Sequence, residues 1–322
     1  MSKHLFGLIV THHGTAANNR GETEGNITTL QKLLWNGDVH TTVSAEAIRF
    51  ALRWLWQRKK GIGALNRRWG EGAEKGTHEW ADPSFANWEA FLDDDVLGFM
   101  SAEAAKEEAN PAERSDGGEG TKKKRKGKAR GTVRVRRARF EVTRAVSLTP
   151  FAGDITFNAA SVGATPSASS TGKDPVPYGT ELHATRYQYG FALTPEDLAR
   201  KERVFDVIEG VTELSEVAGN QARFLFDFSP DAVLFRWTED FAPRILYGFA
   251  LDEDGRLSLP AVVGRIEAGD IAPAEVVVGG SIAGMPDGVR LRELGCEVVP
   301  GVREAARRMK ERIAHDLGPA EG

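Results

Sequence analysis

The stretch "GDVHTTVSAEAIRFALRWLWQRKK", residues 37–60, carries the first decision about the fold. Ser44 stands where a helix N-cap belongs, and Glu46 falls in the first turn, where the helix dipole favours an acid. Ile48, Ala51, Leu52 and Leu55 recur at i, i+3, i+4 and i+7, which predicts an amphipathic helix over 45–58. Gly61 and Gly63 end it. Arg49 and Arg53 project together beside the apolar stripe, with Lys60 further along the same edge. A pair so spaced can straddle phosphates, and Ser44 adds a hydroxyl and free backbone N–H groups at the helix start. Arg20 and Lys32 strengthen that reading if their segment folds over the same sheet face. A solvated basic face accounts for the spacing equally well, so both readings stay open here.

Upstream, "HLFGLIVTH" (4–12) reads as a buried strand. The polar stretch "HGTAANNRGETEGNITT" that follows is expected to be irregular. Downstream, residues 64–100 are tryptophan-rich and partly helical, a packed insertion. Residues 101–131 turn acidic and then strongly basic, and bury too little apolar surface to order themselves. Near-alternating apolar residues return over 132–148, a strand. Residues 149–180 hold the small-residue stretch "SVGATPSASSTGKDPVPYGT" and read as a long hairpin or finger. "ELHATRYQYGFAL" (181–193) reads as one strand. It leads into a helix capped by Thr194, with Pro195 at its first position. The C-terminal third adds the strand "AEVVVGG" and a last helix from about Val302 to His315. Without the insertions the order is β-α-β-β-α-β, that of a ferredoxin-like or RRM-like domain. A generic α+β domain with a separate C-terminal piece is the alternative.

The chain has 322 residues, 41% hydrophobic and 27% charged, enough to bury a sizeable core. Its single cysteine, Cys296, excludes an intramolecular disulfide and fits a reducing compartment. "LFGLIV" is too short for a signal peptide and no run is long enough to span a membrane, so a cytoplasmic location is expected. The net charge of −4 hides a segregation: eleven of the 42 Lys and Arg residues lie between Lys122 and Arg139, with no acid among them. A local field of that kind suits a polyanion, though it does not say which.

Catalytic and metal motifs are wanting. His12 and His13 are adjacent at a strand end and face opposite ways, His40 and His183 are isolated, and no Cys/His cluster has zinc spacing. No nucleophile elbow, Walker loop or strand–GxGxxG–helix order is present, so no cofactor and no metal are expected. "DDD" at 93–95 is read as three solvated acids on a helix or turn rather than a cation site.

The ordered series "LIVTHH…NNR…LQKLLWNGDVHTTVSAEAIRFALR" resembles the CRISPR-associated autoregulator DevR family, the repeated backbone subunit of type I (I-B-like) Cascade. "RAVSLTPFAGDITFN", "ELHATRYQYGFALTPEDL" and "GNQARFLFDFSPDAVLFRWT" extend the resemblance over most of residues 1–240. It implies an α+β fold: a modified RRM-like palm, a helical insertion and a β-hairpin thumb. The palm would take 1–60, 132–148 and 181–322, the last with a C-terminal elaboration. The insertion would take 61–131 and the thumb 149–180. It implies a non-catalytic subunit that polymerises along a CRISPR RNA (crRNA) and presents it to target DNA. Its partners would be copies of itself, the 5′-handle-binding subunit, and the large and small Cascade subunits.

Carried over residue by residue, the guide contacts would be Arg20, Lys32, Ser44, Arg49 and Arg53, with Asn220, Gln221 and Arg223 of "GNQAR" as further members. Glu46 stands where some relatives place a guide-touching glutamine; an acid would repel phosphate, so that contact is not carried over. Phe151 and Phe157 are the residues placed to wedge a base. Lys122, Lys123, Lys124, Arg125 and Lys126 would face the DNA. Two alternatives remain open: a guide-dependent ribonuclease using Asp38 in the loop before the helix, and a stand-alone DNA-binding regulator.

Overall fold

In the computed structural model, described over residues 2–17, 23–25, 27–70, 78–101, 134–159, 177–217 and 227–318, strand β1 (His4–Thr11) lies in the middle of the largest sheet. Its apolar run serves two cores at once. Leu5 and Ile9 enter one, while Phe6, Leu8 and Val10 enter another on the opposite face. A strand covered on both sides needs apolar residues at every position, not every other one. Gly7 interrupts the run because the Phe191 ring fills the space a side chain would need.

The remaining strands of this sheet are β2 (Lys32–Trp35), β3 (Asp38–Val43), β4 (Ala145–Ser147), β6 (Tyr187–Leu193), β7 (Pro230–Thr238), β8 (Val276–Gly280) and β9 (Glu297–Val299), with Glu141–Val142 paired onto β6. The label β5 is kept for Pro177–Thr185, which belongs to a second sheet. The order is β9-β8-β7-β1-β6-β4-β3-β2. With α1 (Ala45–Lys60) and α3 (Arg203–Glu213), its centre runs β1-α1-β4-β6-α3-β7, and the neighbours β7, β1, β6 and β4 are all antiparallel. That is the β-α-β-β-α-β connectivity expected from the sequence. The C-terminal third adds β8 and then β9, which runs parallel to it. Helix α1, α3 and the C-terminal helix Val302–Leu317 bury their apolar stripes in the first core; residues 245–291 cover the second.

Several local expectations fail, each for a traceable reason. The polar stretch 13–29 is not wholly irregular: Gly14–Ala17, Thr23–Glu24 and Ile27–Thr28 are short strands that pair, directly or in turn, with β5. An edge as long as β5 needs partners for its backbone groups. Residues 181–193 form two strands rather than one. The break is at Arg186, whose guanidinium donates to the Thr11 carbonyl at 3.0 Å and pairs with Asp231. Residues 132–148 are likewise three short strands, Val135–Arg136, Glu141–Val142 and β4. Thr194 caps nothing, since its hydroxyl lies 2.7 Å from His4 Nδ1; Pro195 opens only a three-residue turn, and α3 begins at Arg203.

The acidic run is the largest correction. Asp93, Asp94 and Asp95, on the six-residue helix α2 (Leu92–Leu97), are all buried. Asp93 accepts from the backbone N–H groups of Asn66 and Arg67 at 2.8 and 3.1 Å. Asp94 accepts from the Asn66 side chain at 2.7 Å. Asp95 pairs with Arg136 and Arg203 at 2.5 and 2.6 Å and takes the Ala199 N–H at 2.9 Å. Buried carboxylates persist only when donors meet them. Asp95 fastens α2 to α3 and to the strand Val135–Arg136, while Asp93 and Asp94 tie α2 to Asn66 and Arg67.

Candidate nucleic-acid interface

Helix α1 presents its charged edge because its start is fixed. Ser44 adopts extended backbone, and its hydroxyl accepts the Ala47 N–H at 3.2 Å, as an N-cap should. Gly61, with φ +86, closes the other end by donating its N–H to Gln57 at 3.0 Å. Ile48, Ala51, Leu52 and Trp56 face the core. That leaves Arg49 and Arg53 on the flank, as the spacing requires. Lys60 leaves their line and pairs with Asp206 of α3 at 2.5 Å, so it does not extend the basic edge.

Arg49 makes no hydrogen bond or ion pair among the described residues, and its Nε is buried without an acceptor. Arg53 differs. Burial is the main influence on it and pulls its pKa below the ordinary guanidinium range, while Asp93, 3.5 Å from its Nε, partly offsets this. The next influences are the neighbouring charges of Arg67, Asp94 and Arg49. At the helix start, Arg144 donates to Thr42 and Gln31 at 3.1 and 3.2 Å. Glu46 is held below the usual carboxylate range chiefly by a backbone N–H, with help from Ser44, Arg49 and Arg144. Glu46 feels the charges of Arg49 and Arg144, and Arg53 those of Arg49 and Arg67, so these four arginines are neighbouring cations about α1. Arg67 and Arg144 escaped sequence reasoning: Arg144 is distant in sequence from α1, and Arg67, just past its end, is turned back toward Arg53 only by the fold.

Other expected contacts sit elsewhere. Ser44 is buried, its hydroxyl spent on capping and on Glu46. Lys32 is neutralised by Glu181, at 2.6 and 2.7 Å, and its ammonium lies 4.9 Å from the Phe151 ring centroid. Glu181 also accepts the Leu30 N–H at 2.7 Å, so this cluster ties β2 to the finger. The finger is an antiparallel hairpin of Ile155–Ala159 with β5. Phe151 packs edge-on against His183 at its base, whereas Phe157, 82% exposed, projects from its first strand. Arg20, Asn220, Gln221, Arg223 and the run Lys122, Lys123, Lys124, Arg125 and Lys126 lie outside the described residues.

The histidines that look isolated in sequence are not isolated in space. His183 Nδ1 is 2.7 Å from the Thr41 hydroxyl, which also lies 2.8 Å from Tyr187 Oη, and His40 Nδ1 is 2.7 Å from the Ser147 carbonyl. Burial pulls His183 below its ordinary pKa. Asp38 is exposed at the start of β3, after a tight turn in which Asn36 and Gly37 have φ +50 and +94. Among the described residues no group of three or more His, Cys, Asp or Glu is placed to hold a metal ion, and no helix is long and apolar enough to cross a membrane.

The family described as CRISPR-associated negative auto-regulator DevR/Csa2 matches residues 10–223. A protein of Myxococcus xanthus (strain DK1622), "CRISPR-associated protein Cas7/Cst2/DevR", is 49% identical over 323 residues, spanning 97% of this chain and 98% of its own. Two solved chains share the fold across 98% of this chain and 100% of theirs. One is from a "CRISPR RNA-guided surveillance complex" (TM-score 0.54, 14% identity), the other from such a complex described as "pre-nicking" (TM-score 0.56, 11% identity). The chain belongs to the DevR/Csa2 family of CRISPR-associated proteins.

Proposed function

We propose that this chain is a non-catalytic backbone subunit of a type I CRISPR surveillance complex, binding crRNA along α1 and polymerising on it. The observation that carries this is the group of neighbouring arginines Arg144, Arg49, Arg53 and Arg67, in which Arg49 makes no ion pair among the described residues. Clustered guanidinium groups suit phosphates, which carry no sequence information. Sequence would then be read by base pairing, and the protein need grip only the backbone.

In this reading β7-β1-β6-β4 with α1 and α3 is an RRM-like palm, and the hairpin of Ile155–Ala159 with β5 is the thumb. Phe157 is the residue that displaces a base, because Phe151 is engaged at the thumb's base. The run Lys122–Lys126 faces target DNA, and the remaining partners are further copies, the 5′-handle-binding subunit, and the large and small subunits. That solved chains of the same fold come from RNA-guided surveillance complexes supports an RNA-guided assembly.

Titrating the purified chain with single-stranded RNAs of unrelated sequence, and with duplex DNA, across a salt series tests the proposal. Similar affinity for all the RNAs, falling steeply with salt, is expected. A preference for duplex DNA contradicts it and favours a stand-alone regulator.

A further inference from the structure

The two-stranded ribbon of Arg67–Arg68 with Glu79–Trp80, which carries one of these arginines, has two unlike faces. Its register sets Arg67 opposite Trp80 and Arg68 opposite Glu79. On one face Arg68 Nε donates to Glu79 at 3.0 Å and the charges cancel. On the other the Arg67 guanidinium lies 5.9 Å from the Trp80 ring centroid, with a terminal nitrogen 3.4 Å from His78 Nδ1. His78 precedes Trp80 by two residues, so strand alternation puts both on that face. The imidazole stands edge-on to the indole at 5.4 Å.

Among the described residues this face is cationic and uncompensated. Arg67 makes no ion pair among the described residues, and its Nε is buried without an acceptor. The neighbouring charges of Arg67 and Arg53 help hold His78 below its ordinary pKa, after burial. The face is also stiff. Asp93 accepts the Arg67 N–H at 3.1 Å, the Asn66 carbonyl accepts the Ala81 N–H at 2.9 Å, and Trp80 rests against buried Phe85 at 5.1 Å. Trp80 nevertheless remains 37% exposed. Trp69 is engaged instead with Phe50 and Trp54, at 5.0 and 5.5 Å. A fixed, part-exposed indole beside an unpaired guanidinium matches the way single strands are held: a base on the aromatic face, a phosphate on the cation.

We infer that the Arg67–His78–Trp80 face is a stacking site for single-stranded nucleic acid, with a base against Trp80 and the adjoining phosphodiester on Arg67. The kind of polymer rests on the proposed function; the site extends the contact beyond α1 onto the insertion. That phosphodiester belongs either to the guide or to the strand pairing with it.

Trp80→Leu, Trp80→Phe and Arg67→Gln in the full-length chain separate these sources. Three affinities are measured: guide RNA for the free chain, complementary DNA for the guide-loaded chain, and oligo-dT for the guide-free chain by tryptophan quenching. Trp80→Leu should weaken at least one about tenfold, with Trp80→Phe close to wild type. Arg67→Gln should weaken the same one and reduce its salt slope by ~0.7 for a single strand. Loss in the first arm assigns the face to the guide, and loss in the second alone to the pairing strand. If Trp80→Leu misfolds by circular dichroism, Arg67→Gln decides. Wild-type affinity in all three arms overturns the inference, as does loss of a protein contact with strand binding intact. A wild-type chain that ignores guide RNA, yet quenches with oligo-dT through Trp80, refutes the proposed function and not this site.

Discussion

At the scale of single residues, Arg49 and Arg53 look alike in the sequence and differ in the fold. Arg49 is free to meet a phosphate, whereas Arg53 is tied to buried Asp93. Arg49→Ala should weaken every guide alike and shrink the salt slope by ~0.7, read by titration at several salt concentrations. Arg53→Ala should in addition lower stability by about 3 kcal/mol, because it strips a partner from a buried carboxylate, read by thermal unfolding. Glu46→Gln should tighten guide binding roughly two- to fivefold, since an exposed charge of this kind is worth about 0.3–1 kcal/mol. Weaker binding would place the phosphates away from the helix start. The sequence made Ser44, Arg49 and the direction of the helix legible, because capping and period are local rules. It could not reveal that Lys32 answers Glu181 or that Arg144 nears Glu46, because those meetings depend on chain far away, nor that the turn after α1 brings Arg67 back to Arg53.

Elements show the same division. Helix α1 keeps its predicted start and apolar stripe because its periodicity agrees with its burial. The β2–β3 hairpin carried a local signal that went unused: Asn36-Gly37, both with positive φ, is the pairing that tight primed turns favour. The insertion defeated pattern reading because acids buried among donors leave no apolar period. Asp94 there is pushed up to about 7, by burial first and the neighbouring Asp93 charge second. A carboxyl whose folded pKa exceeds its unfolded value binds more protons when folded, so stability falls as pH rises from about 4 to about 7. Asp94→Asn keeps an oxygen for Asn66 and should flatten that decline, read as the thermal midpoint against pH. An unchanged slope would place the titrating group elsewhere. In the hairpin of Ile155–Ala159 with β5, Phe157→Ala should leave the thermal midpoint unchanged, since the ring is 82% exposed, but on the proposed reading should abolish the periodic nuclease-sensitive base of the bound guide. A footprint identical to wild type would remove Phe157 from the wedge.

For the whole molecule, the central strands were readable since β1 is apolar throughout and α1 and α3 are amphipathic, which together demand a sheet with helices on a face. The C-terminal strands Val276–Gly280 and Glu297–Val299 lengthen that sheet, and the segments around them, from Ile245 to Leu291, cover its second face, a role the short apolar runs did not announce. The two faces of β1 thus divide the labour. One core sets α1 and its arginines, and the other supports the sheet from behind. The arginine group on one protomer reaches only a few phosphates, so a guide of ordinary length requires several protomers. The most direct measurement is the mass and nucleic-acid content of the protein purified after co-expression with a CRISPR array. Particles whose mass rises in whole protomer steps with guide length, each carrying one crRNA, are expected; a monomer free of oligonucleotide would contradict the account.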